Sequence, residues 1–545
     1  MDMEKSEKTY VPNKHGKRTN LYVTAAAVNI LSFLAGIAFG WMATMQSVLQ
    51  GPGSPVGPIS DQDASWLASI INLSRLVTIP LYMWSVERLG RRATGYLVAA
   101  PFLVSYVLPL FAGSVAGLYC ARRDPRRDIK PSSHARSCIF GIFIKRPHTF
   151  EFQVQNLSKI SARLVIICGV EKTEFVSLPP GRFVVGIAAG GAFILAPAYV
   201  SDIAEDSNKG RLGVLFGLSL NLGLTFSYAA GSYASYYAFH ACCAEISAAA
   251  LLVLRCLPES PLFLLAAGRA AEARDALRWL RGGEDCGLEL ERMASRAREL
   301  LDRRDTKVSL TALTDRATLR GLLIGLGLMA NQQLSGNAPV MVYTVSIFEQ
   351  AGSTIPPHVC AITVGALTTA GTLVSSAVID RCGRRALLIA SDLVFALSLG
   401  LLGAYFYLRH LGWDVATVGW LPLACLSAHV FTTGLGFSSL PFTVATELVG
   451  PRARGAVQTA MLMFLSASVF AVLFCYGPVS RAVGQHGCFW FFSAACAVSA
   501  ACIYLAMPET KNRSVEEVVA QLGGDHYVRS VVTWSKHAAH VQSIL

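Results

Sequence analysis

QQLSGNAPVMVYTVSIF, residues 332–348, decides how this chain is read. The stretch is apolar enough to sit in a membrane, yet it opens with two amides, Gln332 and Gln333, and adds Asn337 and Tyr343. An amide inside a spanning helix is costly unless it faces a partner or a watery cavity. Pro339 is expected to weaken the helix where the backbone lines a cavity. Amides beside aromatics suit a neutral polyhydroxy ligand, whose hydroxyls need donors and acceptors and whose C–H faces need flat apolar surface. Amides that only join one helix to another would read the same way from this stretch alone.

Hydrophobic residues make up 53% of the 545, and only 15% are charged, well below a soluble domain. A hydrocarbon core about 30 Å thick needs about 20 residues per helix. Such windows fall near 21–42, 64–84, 93–115, 183–201, 212–231, 236–255, 321–348, 359–379, 386–407, 417–441, 456–477 and 489–507, which makes twelve. The first is too long for a cleaved signal core. A net charge of +12 would suggest nucleic acid only on the basic face of a soluble domain, so no nucleic-acid partner is expected. The 14 cysteines are scattered, with no CxxC pair or ligand cluster. They read as small core residues, and no metal or cofactor is expected.

Lys and Arg placement orients the chain. With the N-terminus inside, the inside segments hold 31 basic residues, whereas the outside loops, apart from 122–181, hold only Arg409 and Arg481. Both termini are therefore expected in the cytoplasm. The domains expected are a tail at 1–20, a six-helix bundle at 21–255, a basic helical linker at 256–320, a second bundle at 321–507 and a tail at 508–545. Residues 122–181 break the charge rule, with eleven basic residues on the outside and no run long enough to span. We read them as a translated intron or other gene-model error rather than a genuine extracellular insertion. Asn156, in an Asn-Leu-Ser sequon, lies in this stretch.

The two halves repeat their signals. Glu87-Arg88-Leu89-Gly90-Arg91-Arg92 follows the second span, and Asp380-Arg381-Cys382-Gly383-Arg384-Arg385 follows the eighth. Asp202 precedes Lys209 by seven residues, as Glu447 precedes Arg454. The halves close with PESP at 258–261 and PET at 508–510. From Glu87 to Asp202 is 115 residues and from Asp380 to Glu447 is 67; with 60 removed the first becomes 55. Carboxylates at helix ends opposite guanidinium groups make a latch, so Glu87, Arg88, Arg91, Arg92, Asp202, Lys209, Asp380, Arg381, Arg384, Arg385, Glu447 and Arg454 are candidate cytoplasmic gate residues, pairing across the halves.

In this order ERLGRR, RFVVG, PAYVSD, PESP, QQLSG, DRCGRR, the Glu447–Arg454 signature and PET resemble the sugar-porter family of the major facilitator superfamily, with the flavour of its insect facilitated trehalose and glucose transporters. They cover nearly all the chain except both tails and 122–181. The resemblance implies an all-α polytopic membrane protein of twelve transmembrane helices in two pseudosymmetric six-helix bundles, with a sugar site at mid-membrane worked by alternating access. It implies that Gln332 and Gln333 contact the sugar and that Tyr343 is an aromatic gate. Asn337 stands one position early for the family's third amide. Phe442 replaces a common Trp, Thr368 a common Asn, and Gly434 a common Glu. Ser219 and Asn221 are the nearest polar residues to a missing fifth-helix Gln.

Proton-driven relatives carry an acid in the first helix, where this chain reads Ala38-Phe39-Gly40-Trp41. That favours a plasma-membrane uniporter for trehalose or a hexose such as glucose, expected to be monomeric, with the sugar and the bilayer as its partners. A proton-coupled symporter, a non-transporting sugar receptor, or an inactive product if 122–181 is real are the alternatives. Asp392 is a candidate proton site, His429 reads as a neutral packing residue, and Arg75 has no evident partner. No nucleophile–base motif, metal cluster or Walker loop appears, so no enzymatic activity is expected.

Overall fold

The computed structural model describes residues 19–51, 54, 58–111, 178–205, 208–283, 286–305, 316–353, 355–449, 454–509 and 517. Nearly all of 122–181 and most of both tails fall outside the described residues, so the reading of that stretch is not addressed by the fold.

Lipid cannot hydrogen-bond a peptide group, so apolar segments of this length become helices. The first half contains α1 (Thr19–Gln50), α2 (Asp61–Arg88), α3 (Arg91–Val107), α4 (Leu178–Ile203), α5 (Lys209–Tyr233) and α6 (Tyr236–Cys256). The second half begins with α7 in three pieces, Arg316–Leu334, Asn337–Val342 and Thr344–Ala351. Then come α8 (Pro357–Cys382), α9 (Arg384–His410) and α10, made of Leu421–Thr432, a π-helical turn at Thr433–Phe437, and Leu440–Glu447. The final helix, Arg454–Ala506, has 53 residues, about 80 Å at 1.5 Å per residue, too long for one crossing. It turns at Gly484 (φ 82), which divides it into α11 and α12. The described residues thus cross twelve times. Side chains such as Leu81, Leu252, Leu397, Phe491 and Leu505 stand exposed on the outer surface, as lipid-facing positions do.

Glycines set how closely the helices approach. A Cβ on Gly36 of α1 would lie 1.9 Å from the Leu220 carbonyl oxygen, and one on Gly223 of α5 would lie 2.0 Å from that of Phe33. The two backbones touch, the usual use of small residues between membrane helices.

Between the halves, α2 packs on α11 and α5 on α8, while α1 meets the two short pieces of α7. Arg75 of α2 donates from Nε to the Ser466 hydroxyl of α11 at 2.9 Å. Its guanidinium also lies 5.1 Å from the Phe193 ring centroid and 5.8 Å from that of Phe39. That is the partner the sequence did not reveal: a hydroxyl in the opposite half and two ring faces.

Three short helices, Pro261–Ala266, Ala270–Leu280 and Gly287–Asp305, follow α6. Buried Arg281 fastens them to the first half, donating to the Ile203 carbonyl at 3.2 Å and pairing with Glu205 at 3.3 Å and Glu289 at 2.5 Å. Asn20 of α1 donates to the Trp279 carbonyl at 2.8 Å.

Candidate functional site

The interruption of α7 creates the site. Gly336 adopts a left-handed conformation (φ 74, ψ 9) after Leu334, and Tyr343 (φ −110, ψ 17) separates the second piece from the third. Pro339, expected to weaken the helix, instead lies in the first turn of Asn337–Val342, where a missing N–H leaves no bond unmade. The break belongs to Gly336, whose φ disfavours a side chain and whose Cβ would meet Phe492 of α12 at 2.9 Å.

Gln332 and Gln333 both end buried at the close of the first piece. Gln332 donates from Nε2 to the Ser438 carbonyl at 3.1 Å, just beyond the π-helical turn of α10. Its Oε1 is buried without a partner, and so is Asn337 Oδ1 across the break. Two amide oxygens thus lie buried with no donor supplied, and a buried acceptor left that way normally requires an explanation. Hydroxyl groups of a bound polyol would supply the donors.

Around this break the other candidates scatter. Tyr343 stacks on Tyr476 of α11, centroids 5.1 Å apart and planes within 23°. Thr368 is buried on α8, its hydroxyl donating to the Val364 carbonyl one turn back. Phe442 is half-buried and touches both large apolar clusters. From the first half, Asn221 donates to the Thr372 hydroxyl at 2.8 Å, so its amide is engaged by protein. Ser219 is half-buried two residues earlier, on a different face of α5. At Gly434, where the resemblance implies a Glu, a Cβ would lie 2.4 Å from the Thr368 carbonyl oxygen. The close crossing of α8 and α10 removes room for any side chain there.

Sequence reasoning missed Ser438, Tyr228 and two threonines of α8, Thr369 and Thr372, that stand beside the candidate Thr368. Tyr228 of α5 donates to the Met341 carbonyl on the middle piece of α7 at 2.5 Å, and the Thr225 and Thr369 hydroxyls are 3.2 Å apart. The spacing of Thr368, Thr369 and Thr372 along one face of an apolar helix was the available signal.

At the face holding both basic clusters, Arg91 of α3 pairs with Asp202 of α4 at 2.7 Å, and Ser260 donates to the same carboxylate oxygen at 2.7 Å. The main-chain N–H groups of Arg91 and Arg92 donate to the Glu259 carboxylate at 2.8 and 3.1 Å. In the second half the N–H groups of Arg384 and Arg385 donate to Glu509, both at 3.2 Å. Gly90 (φ 92) and Gly383 (φ 83) hold the caps of α3 and α9 open to these carboxylates. The expectation of pairing across the halves therefore needs correction for Arg91 and Asp202, which belong to one half. Glu259 and Glu509, the acids of PESP and PET, are the capping residues that the sequence reading quoted without giving them a role. Glu87, Arg88 and Arg381 are exposed at this face. The side chains of Lys209, Asp380, Glu447 and Arg454 lie outside the described residues.

Of the two intramembrane groups, Asp392 of α9 is fully buried and accepts at both oxygens from Asn331 Nδ2, at 3.1 and 3.0 Å. His429 is fully buried against Phe395, centroids 4.4 Å apart, in keeping with a packing role.

Residues 153–522 match the family model described as "Sugar (and other) transporter". The facilitated trehalose transporter Tret1 of Drosophila virilis is 29% identical over 503 residues, 92% of this chain and 48% of that protein. Its namesake in Culex quinquefasciatus is 28% identical over 503 residues, covering 92% and 86%, and that of Drosophila erecta 34% over 366, covering 67% and 42%. The chain spans about half the length of the first of these relatives. Among solved structures, the inward-open xylose transporter XylE from E. coli superposes with a TM-score of 0.66 at 16% identity, over 92% of this chain and 99% of that one. The proton:xylose symporter XylE bound to 6-bromo-6-deoxy-D-glucose gives 0.62 at 19%, over 92% and 99%. At these identities the likeness establishes the major facilitator fold.

Proposed function

Because this chain belongs to the sugar (and other) transporter family, we propose that it is a facilitative carrier that moves trehalose or a hexose such as glucose across the plasma membrane by alternating access. The observation that carries the reading is the pair of buried, unpartnered amide oxygens, Gln332 Oε1 and Asn337 Oδ1, on either side of the break in α7. A sugar entering between the halves would offer each a hydroxyl hydrogen, with Tyr343 and Phe442 as apolar surfaces and Thr368, Ser219 and Asn221 as further polar groups. The curated relatives named as facilitated trehalose transporters support trehalose as the first sugar to try.

Uniport rests on the first span. Arg182 of α4 donates from Nη1 to the Ala38 carbonyl at 3.0 Å, so at the place of a coupling acid this chain presents only main chain. Asp392, the acid a symporter would otherwise need, is occupied by Asn331. We place both termini, the linker helices and the two basic clusters in the cytoplasm from the Lys and Arg bias, and the working unit as a monomer.

The test is uptake of labelled trehalose and glucose into oocytes at pH 5.5 and 7.5. Saturable uptake of one sugar, equal at both pH values and weakened through a higher KM in Gln332→Ala, is the expected result. Uptake that rises steeply at pH 5.5 would replace uniport by symport. No uptake from protein shown to reach the surface would remove both sugars.

A further inference from the structure

We propose that a cleft inside the first half, separate from the sugar residues, binds a small monovalent anion against Arg182. The cleft lies between α1, α3, α4 and α6, opens toward the face opposite the basic clusters, and has room for about one water-sized group. Trp41, Tyr106, Arg182 and His240 line it, with Ser105 and Val185.

Hydrogen-bond capacity identifies the ligand. The Ser105 hydroxyl donates to the Phe102 carbonyl at 2.7 Å, and the Tyr106 hydroxyl to that of Leu34 at 3.3 Å. His240 Nε2 accepts from the Trp41 indole at 3.2 Å, and Nδ1 sits 2.9 Å from the Tyr236 carbonyl, which fits a neutral ring carrying its proton on Nδ1. These groups have spent their hydrogens. Arg182 has not: of five N–H donors, Nη1 uses one on Ala38 and Nε makes a long 3.4 Å contact with Leu67. Arg182 is 7% exposed, and its guanidinium lies 4.5 Å from the Trp41 ring centroid.

A buried cation is strongly unfavourable without a counter-charge. Among the described residues, none that lines it is acidic. The nearby acids among the described residues are committed or turned away: Asp63, one turn before Leu67, is held by Ser60, Asp202 at the far end of α4 pairs with Arg91, and Glu245 of α6 is exposed. The charge left over is positive, the spare groups are donors, and the space is that of a single small ion. A halide or a small carboxylate satisfies all three conditions, whereas a neutral sugar, needing acceptors for its hydroxyls, does not.

Chloride is the probe. Thermal unfolding of the full-length chain in detergent is followed while chloride replaces gluconate at constant ionic strength. The expected result is a saturable rise in Tm of several degrees, as for any ligand bound only by the folded state. The rise should vanish in Arg182→Gln and persist with a higher half-saturation concentration in Arg182→Lys. A wild-type Tm that does not saturate with chloride overturns the proposal. So does a rise that Arg182→Gln retains or a half-saturation that Arg182→Lys leaves unmoved. Should Arg182→Gln fail to fold, the wild-type and Arg182→Lys titrations still decide.

Discussion

Asn221 of α5 donates to the Thr372 hydroxyl of α8 at 2.8 Å, joining the two halves near the middle of both helices. In the alternating access proposed above, that bond would loosen as the halves rock and so would bias which state is occupied. A neutral hydrogen bond contributes about 0.5–1.5 kcal/mol, so Asn221→Ala should change the transport rate roughly 2- to 10-fold at unchanged surface level. Thr372→Ala should do the same, and the double variant should match either single one. Additive effects would show that the two residues act independently.

Gln332→Ala should raise KM for the transported sugar with little change in surface amount. The amide meets both Ser438 and, in our reading, a sugar hydroxyl, and losing a buried partner costs about 1–3 kcal/mol, a factor of roughly 5 to 150. Asn337→Ala should raise KM as well, and a normal KM there would remove Asn337 from the sugar site. Concentration-dependent uptake reads both.

Gly434→Ala should lower surface expression and Gly434→Glu should abolish it, since the added Cβ would stand 2.4 Å from the Thr368 main-chain oxygen. Surface biotinylation and detergent monodispersity measure this. Normal expression of Gly434→Glu would mean that α8 and α10 separate more readily than their packing indicates.

Glu509→Ala removes the carboxylate that accepts from the first two N–H groups of α9, and a lost cap typically costs about 1 kcal/mol. Glu259→Ala removes the matching cap of α3 beside the Arg91–Asp202 pair. Both should lower the Tm of purified protein, and Glu509→Gln, which keeps an acceptor, should lower it less than Glu509→Ala.

Removing residues 122–181 should preserve sugar uptake, because the stretch lies outside both the motif order and the charge rule. cDNA across codons 115–190 should lack it. Abundant transcripts that contain it, or a deletion that abolishes surface expression, would identify it as a genuine part of the protein.

The crossings were readable because lipid imposes one rule on every span: a run of apolar residues long enough to reach across. The glycine-capped repeats were readable because the same letters recur in each half. What stayed hidden depends on contacts between distant residues. Arg75 meets Ser466 across 391 positions, and nothing local to Arg75 announces a hydroxyl there. Pro339 was the visible helix-breaker, yet Gly336 makes the break, because a proline in a first turn obstructs nothing. The basic clusters suggested partners across the halves, whereas Arg91 finds Asp202 within its own half. Gly434 looked like a lost carboxylate when it is a place where two main chains cross.

The crossing of α1 and α5 has a mechanical meaning. Where side chains separate two helices, one can slide past the other by changing rotamers. At Gly36 and Gly223 nothing separates them, since each glycine faces the other helix's carbonyl directly. The pair therefore behaves as one beam. Its α5 edge bears on α8 through Asn221, Thr225 and Tyr228's neighbours, and its α1 edge bears on the broken α7. A rearrangement around sugar at α7 would thus reach the α5–α8 seam without slack, so loading and rocking need no separate relay.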